Sequence, residues 1–268
     1  MLGRGRFGAV HRALNVNTGE VLAVKQVQVE SKTGKRMLQR EISLMRSMSL
    51  RSPNVVRCVA TELADDTFHI FMEYVSGGSL KSVIKEYGKL PTSTVMSYTK
   101  QILTGLKTLH DAGIAHRDIK ADNLLLSDSG VIKLADFGSA KRISTQRTMH
   151  TTAAGAGIKG SPLWMAPEVI RNEVTSEGDP LTSIRRWKRA DVWSLGCTII
   201  EMATGEPPFN FFSNPTAAMY HIATCKEPPE FPETIGDTGR DMLGRALTIE
   251  GDQRPSVDVL LLHPFVNF

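Results

Sequence analysis

The chain changes its hydrophobic period at Gly77-Gly78. Before this pair, residues 7–11, 21–29, 55–60 and 68–74 are short runs rich in β-branched and aromatic side chains, the pattern of strands. A turn at Asn17-Thr18-Gly19-Glu20 separates the first two runs. One stretch, residues 35–49, has helical spacing instead, with Leu38, Ile42, Met45 and Ser49 recurring until Pro53-Asn54 breaks it. Beyond Gly78 the helical period dominates. Pro91 opens a long helix, as proline does in a first turn, with the stripe Val95, Ile102, Leu106, Leu109. Residues 131–134 read as a short strand. Residues 191–204 form a helix apolar nearly all round, hence buried, and Gly205 with Pro207-Pro208 stops it. A last helix spans residues 257–262, before His263-Pro264. The expected class is α+β: a small sheet with one helix, residues 1–74, followed by a larger, mainly helical body, residues 75–268.

At 268 residues the chain is long enough to bury its own core without disulfide or metal staples. Its three cysteines, Cys58, Cys197 and Cys225, are odd in number and far apart, which reads as idle thiols in a reducing compartment, the cytoplasm. The N-terminus carries no apolar leader, and the longest apolar run, residues 192–200, is interrupted by Ser194, Gly196 and Thr198, so neither secretion nor a membrane span is expected. The net charge of +4 is small and dispersed. With no concentrated basic face and no RNA-binding motif, a nucleic-acid binder is not expected. No thiolate or histidine cluster suggests a transition metal.

The chemistry lies in short clusters. Gly3-Arg4-Gly5-Arg6-Phe7-Gly8 is a glycine-rich turn that lets backbone N–H groups approach phosphates. A strand follows it rather than a helix, which argues against a dinucleotide-binding fold. Ala23-Val24-Lys25 places a lysine on an apolar strand, where its ammonium needs an anionic partner. Glu41, on the side of the next helix that carries Leu38 and Met45, is the candidate. His116-Arg117-Asp118-Ile119-Lys120-Ala121-Asp122-Asn123 collects an acid, a base and an amide within eight residues. In such a loop Asp118 could accept a hydroxyl proton and Asn123 could ligate Mg²⁺. Asp136-Phe137-Gly138 offers a second hard oxygen ligand, and Ala166-Pro167-Glu168 and Arg254 follow.

In this order and spacing, over essentially the whole chain, these motifs resemble the eukaryotic protein kinase family. The resemblance implies a two-lobed fold with ATP and Mg²⁺ as cofactors. By similarity, Gly3, Gly5 and Gly8 would cover the ATP phosphates. Val10 and Ala23 would pack on the adenine from one side and Leu125 from the other. Lys25, held by Glu41, would contact the α- and β-phosphates. Met72 resembles the gatekeeper, Glu73 and Val75 would offer backbone groups to the adenine edge, and Ser79 would reach the ribose. Asp118 would be the catalytic base, Lys120 would steady the γ-phosphate, and Asn123 and Asp136 would hold the metal ions. Glu168 and Arg254 resemble the family's structural ion pair. Asp191 resembles its brace on the catalytic loop, and Ser161 would bond to Asp118 and Lys120.

Lys120 and Gly160-Ser161-Pro162 resemble the serine/threonine type. The segments 14–27, 72–80, 163–165 and 263–265 resemble MAP kinase kinase kinases, whose substrate is a MAP kinase kinase. A neighbouring upstream kinase group and a pseudokinase scaffold are the alternatives. The presence of Lys25, Asp118, Asn123 and Asp136 favours the enzyme over the scaffold. A scaffold protein or upstream activator is a further expected partner.

Three departures from the family pattern stand out. Most of the strand expected before Gly3 is missing. Gly157 and Ala156 stand where relatives carry a phosphorylatable residue, leaving Thr148, Thr151 and Thr152 as candidates, with Arg117 as the receiving cation. The stretch 170–188 is long and leads into Arg185-Arg186-Trp187-Lys188-Arg189, read as a solvated charged face or a docking loop for an acidic partner.

Overall fold

The computed structural model describes residues 1–5, 8–28, 52–137, 141–142, 161–175 and 180–268. The expected helix at 35–49, Glu41, Gly138 and the threonines 148, 151 and 152 lie outside the described residues.

A five-stranded antiparallel sheet comes first. Its strands are β1 (Gly3–Gly5), β2 (Gly8–Leu14), β3 (Val21–Gln28), β4 (Cys58–Ala64) and β5 (Thr67–Glu73), in the spatial order β1-β2-β3-β5-β4. The glycine cluster is therefore partly strand rather than wholly turn: Gly3 pairs with Val10 and Gly5 with Gly8. Lys25 is on the central strand, between β2 and β5. Register decides what shares its face. Directly paired residues point to the same side and side chains alternate along a strand. Val10 opposite Lys25, and Ala23 opposite Met72, put Val10, Ala23, Lys25 and Met72 on one side of the sheet.

The rest is mainly helical. It comprises α1 (Leu80–Tyr87), α2 (Thr92–Asp111), α3 (Pro167–Ile170), α4 (Pro180–Thr204), α5 (Pro215–Thr224), α6 (Gly236–Ala246) and α7 (Val257–Leu261). Short strands β6 (Ile114–Ala115), β7 (Leu124–Leu126), β8 (Ile132–Leu134) and β9 (Lys141–Arg142) form two small antiparallel pairs, β6 with β9 and β7 with β8. Pro91 is the N-cap of α2 rather than its first helical residue. The stripe Val95, Ile102, Leu106, Leu109 is buried together with Val192, Leu195 and Ile199 of α4 in one continuous core. Burying each such side chain stabilises the fold by roughly 1.5–3 kcal/mol.

Helix α4 begins at Pro180, eleven residues before the start read from the sequence. The basic run 185–189 is thus helical, and Trp187 within it is buried. Neither a loop nor a fully solvated face describes it. The polar residues of 180–190 hid the helix because their pattern is not the all-round apolar one that continues after Asp191.

No helix among the described residues is long and apolar enough to cross a membrane. Cys58 and Cys197 are buried free thiols and Cys225 is half-buried. Desolvation raises the Cys197 pKa well above that of an ordinary thiol.

Candidate active site

The site lies where the sheet face carrying Lys25 meets the loops after β6 and β8. Lys25 Nζ donates to Asp136 Oδ1 at 2.6 Å, across 111 residues of sequence. Asp136 has a left-handed backbone, φ 58°, which an aspartate tolerates better than most residues. Phe137 beside it is buried and packs against the His116 ring, centroids 5.3 Å apart.

The loop after β6 holds Asp118 in a closed network. Asn123 Nδ2 donates to both the Asp118 carbonyl (2.7 Å) and Oδ2 (2.8 Å). Ser161 Oγ donates to Asp118 Oδ1 at 3.1 Å, and Lys120 Nζ donates to Ser161 Oγ at 2.6 Å. Lys120 Nζ is also 3.7 Å from Asp118 Oδ2. The carboxylate is thereby fixed in direction while its side chain stays 15% exposed, open to a partner. Because both Asn123 amide hydrogens are committed to Asp118, its Oδ1 is the atom left for a cation.

The remaining expected positions fall around this centre. Gly8 has φ +142°, and a Cβ there would lie 1.7 Å from the Gln26 carbonyl oxygen, so only glycine fits. Gly3 is open, with nothing within 4 Å of a notional Cβ. Ser79 caps α1, accepting from Ser82 N at 3.2 Å, and its backbone bridges Leu125 on β7. The Val75 side chain is buried at the crossing between the sheet and α1. Glu73 uses its carboxylate on the Arg57 amide (2.7 Å) and Lys133 Nζ (2.9 Å).

One face of α4 supports the loop from behind. Residues 187, 191, 194, 198 and 201 follow the i, i+4, i+7 spacing of a single helical stripe. Asp191, fully buried, accepts from the backbone N–H of His116 (2.8 Å) and Arg117 (2.7 Å) and lies 2.9 Å from His110 Nε2. Ser194 Oγ donates to the Trp164 carbonyl at 2.8 Å. Glu201 accepts from Ala121 N (3.3 Å) and Trp164 Nε1 (3.1 Å), and Lys81 Nζ lies 3.6 Å away. Burial raises the Glu201 pKa, because these partners only partly offset desolvation. Burial likewise lowers the Arg117 pKa, opposed by Asp191. Glu168 and Arg254 pair at 2.8 Å and 3.3 Å, both nearly inaccessible.

Trp187, Glu201 and His110 went unread in the sequence. The signal for the first was available: Pro180 is a residue favoured in a first helical turn, and a helix starting there aligns 187 with 191.

The donor set suits a nucleotide with a hard cation. Asn123 and Asp136 offer amide and carboxylate oxygens beside an ammonium, the chemistry of Mg²⁺ bound with phosphates. Among the described residues no three His, Cys, Asp or Glu side chains converge as a metal cage. A cation here would complete its shell with phosphate oxygens and water.

The protein kinase domain family matches residues 1–266. Over 275 aligned residues the chain is 40% identical to mitogen-activated protein kinase kinase kinase 2 of Arabidopsis thaliana, covering all of this chain and 40% of that protein. It is 39% identical to mitogen-activated protein kinase kinase kinase YODA of the same plant, covering all of this chain and 29% of that relative. With mitogen-activated protein kinase kinase kinase A of Dictyostelium discoideum the identity is 38%, over 99% of this chain and 27% of the relative. The chain thus spans at most about two fifths of these relatives' length. With its sheet, catalytic-type loop and helical body in the family's order, the chain belongs to the protein kinase family and is similar to its MAP kinase kinase kinases.

Proposed function

We propose that the chain transfers the γ-phosphoryl group of ATP to serine or threonine of a protein, and that this protein is a MAP kinase kinase. The observation that carries the reading is the Asp118 network. A carboxylate aimed by Asn123 and Ser161, partly open, and next to Lys120, is what a substrate hydroxyl needs for its proton and its phosphoryl donor. The Lys120–Ser161 bond supports the serine/threonine type read from those residues, and the similarity to MAP kinase kinase kinases supports a MAP kinase kinase as substrate.

ATP with Mg²⁺ supplies the phosphoryl group and its charge neutralisation. The chain supplies position, since this reaction asks for little covalent chemistry from the protein. Val10, Ala23, Met72 and Leu125 would bracket the base, with Glu73, Val75 and Ser79 along its edge and the sugar. Gly3, Gly5 and Gly8 would bring backbone N–H groups to the phosphates. Lys25 would hold the α- and β-phosphates, with Glu41 behind it. Asn123 Oδ1 and Asp136 would hold the cation. Asp118 would accept the substrate hydroxyl proton at a carboxylate oxygen, and Lys120 would offset charge on the transferred group.

The test is labelled-phosphate transfer from ATP–Mg²⁺ to an inactive MAP kinase kinase. Transfer by the wild type, lost in Asp118→Asn, supports the reading. Equal transfer by both, or none to this and to generic protein substrates, overturns it.

A further inference from the structure

Arg117, the residue before Asp118, is gripped twice by α4. Asp191 takes its backbone N–H at 2.7 Å. Trp187, one helical turn earlier on the same face, takes its side chain: the guanidinium carbon is 3.9 Å from the Trp187 ring centroid, over the ring face. Trp187 is 6% exposed. Neither Arg117 Nε nor Trp187 Nε1 has a hydrogen-bond partner among the described residues. The contact is therefore between a cation whose Nε is out of water and a π face, not between donor and acceptor.

Arg117 also has φ +71°, a left-handed conformation that a long side chain seldom adopts without outside support. That turn determines where the next side chain points. A packing role alone would be met by any apolar residue at 187. Only an aromatic one holds a cation whose Nε has lost water and has no acceptor among the described residues.

We propose that Trp187 is a positioning residue for phosphoryl transfer: its ring clamps Arg117 in the left-handed turn and so fixes the direction of Asp118. The inference rests on the reading of Asp118 as proton acceptor. It assigns to residue 187 a role that the surrounding basic run conceals.

The experiment compares Trp187→Leu, Trp187→Phe, Arg117→Met and the Trp187→Leu/Arg117→Met pair. Steady-state transfer from ATP–Mg²⁺ to a MAP kinase kinase is measured, with thermal unfolding of the nucleotide-free protein alongside. Trp187→Leu lowers kcat by about tenfold with the KM for ATP within about twofold of wild type, whereas Trp187→Phe stays within about threefold of wild-type kcat. In the Arg117→Met background, Trp187→Leu has little further effect on kcat. Its loss of Tm is also smaller there by about 2–4 °C. Transfer by wild type but not Asp118→Asn, with Phe as poor as Leu or with losses that multiply in kcat and add in Tm, overturns this inference alone. Equal transfer by wild type and Asp118→Asn overturns the functional reading and this inference with it.

Discussion

Lys25–Asp136 and Glu168–Arg254 are ion pairs of nearly equal length, 2.6 Å and 2.8 Å, in opposite surroundings. The first has side chains 12% and 33% exposed, the second 0% and 6%. The second is also saturated. Arg254 donates to both Glu168 oxygens, to the Arg189 carbonyl and to the Thr248 carbonyl. A closed, fully bonded pair has nothing left to offer a ligand. A partly open pair with an ammonium and a hard oxygen can exchange partners. Distance does not separate a structural pair from a working one, but exposure to solvent and ligand does.

The comparison can be broken at either pair. Arg254→Met leaves the Glu168 carboxylate buried without its cation, a loss of about 3–5 kcal/mol. The expected outcome is a Tm lower by about 10 °C or a collapse in folded yield, with transfer per folded molecule close to wild type. A normal Tm would mean that the pair contributes little to the fold.

Lys25→Met has the reverse profile. It lowers transfer by about 10²- to 10³-fold, as does removal of other charge-stabilising groups. The Tm moves by only about 3 °C, because the Asp136 carboxylate keeps access to water. A large stability loss with the rate unchanged would exchange the roles assigned to the two pairs.

Two glycines sharpen the contrast between a support and its surroundings. Gly8→Ala forces a side chain against the Gln26 carbonyl and costs about 1–3 kcal/mol, seen as a lower Tm and a raised KM for ATP. Gly19→Ala meets nothing within 4 Å, so only its φ of +72° counts and about 1 kcal/mol is expected. Equal costs in urea unfolding would show that the clash at Gly8 relaxes freely.

The smallest effect concerns Glu201, a buried carboxylate that lacks the saturation of Glu168. Its Oε1 has no hydrogen-bond partner among the described residues. Its folded pKa is raised above the ordinary value near 4.5, so the folded state holds this proton more tightly than the unfolded chain does. Its favourable contribution is present below the unfolded pKa and is lost as pH rises through the folded one. Glu201→Gln removes that dependence. The Tm of the variant minus that of wild type therefore increases from pH 4.5 to pH 7, by a few degrees at most. A difference that is flat or falls with pH contradicts the burial argument.

Much of this was legible before any coordinates. The loop 116–123 was readable because its acid, base and amide are neighbours in sequence, and the structure brings Asn123, Lys120 and Ser161 onto Asp118. Lys25 was readable as a charge on an apolar strand and Ala23 shares its face by period-two alternation, whereas Val10 and Met72 were reached through the family resemblance and their place on that face depends on strand register. Less legible were side chains whose role depends on a distant partner. Nothing local to Trp187 indicates Arg117, and four cationic neighbours suggest solvent. Glu201 sits in an apolar run where its carboxylate looks anomalous, and only the fold reveals Ala121, Trp164 and Lys81 around it. The start of α4 was missed because in its first turns the apolar residues Leu181, Ile184, Trp187 and Ala190 are outnumbered by polar and cationic ones, unlike the apolar run after Asp191.

The stripe on α4 has a consequence for how this chain can change in length. Trp187 and Asp191 reach Arg117, Ser194 reaches Trp164 and Glu201 reaches Ala121, all from one helical face. A residue added between 187 and 201 advances everything after it by about 100° around the axis, so the two ends of the stripe no longer face the same way. Residues added before Pro180 leave that phase untouched. The stretch from 187 to 201 therefore behaves like a key with fixed tooth spacing.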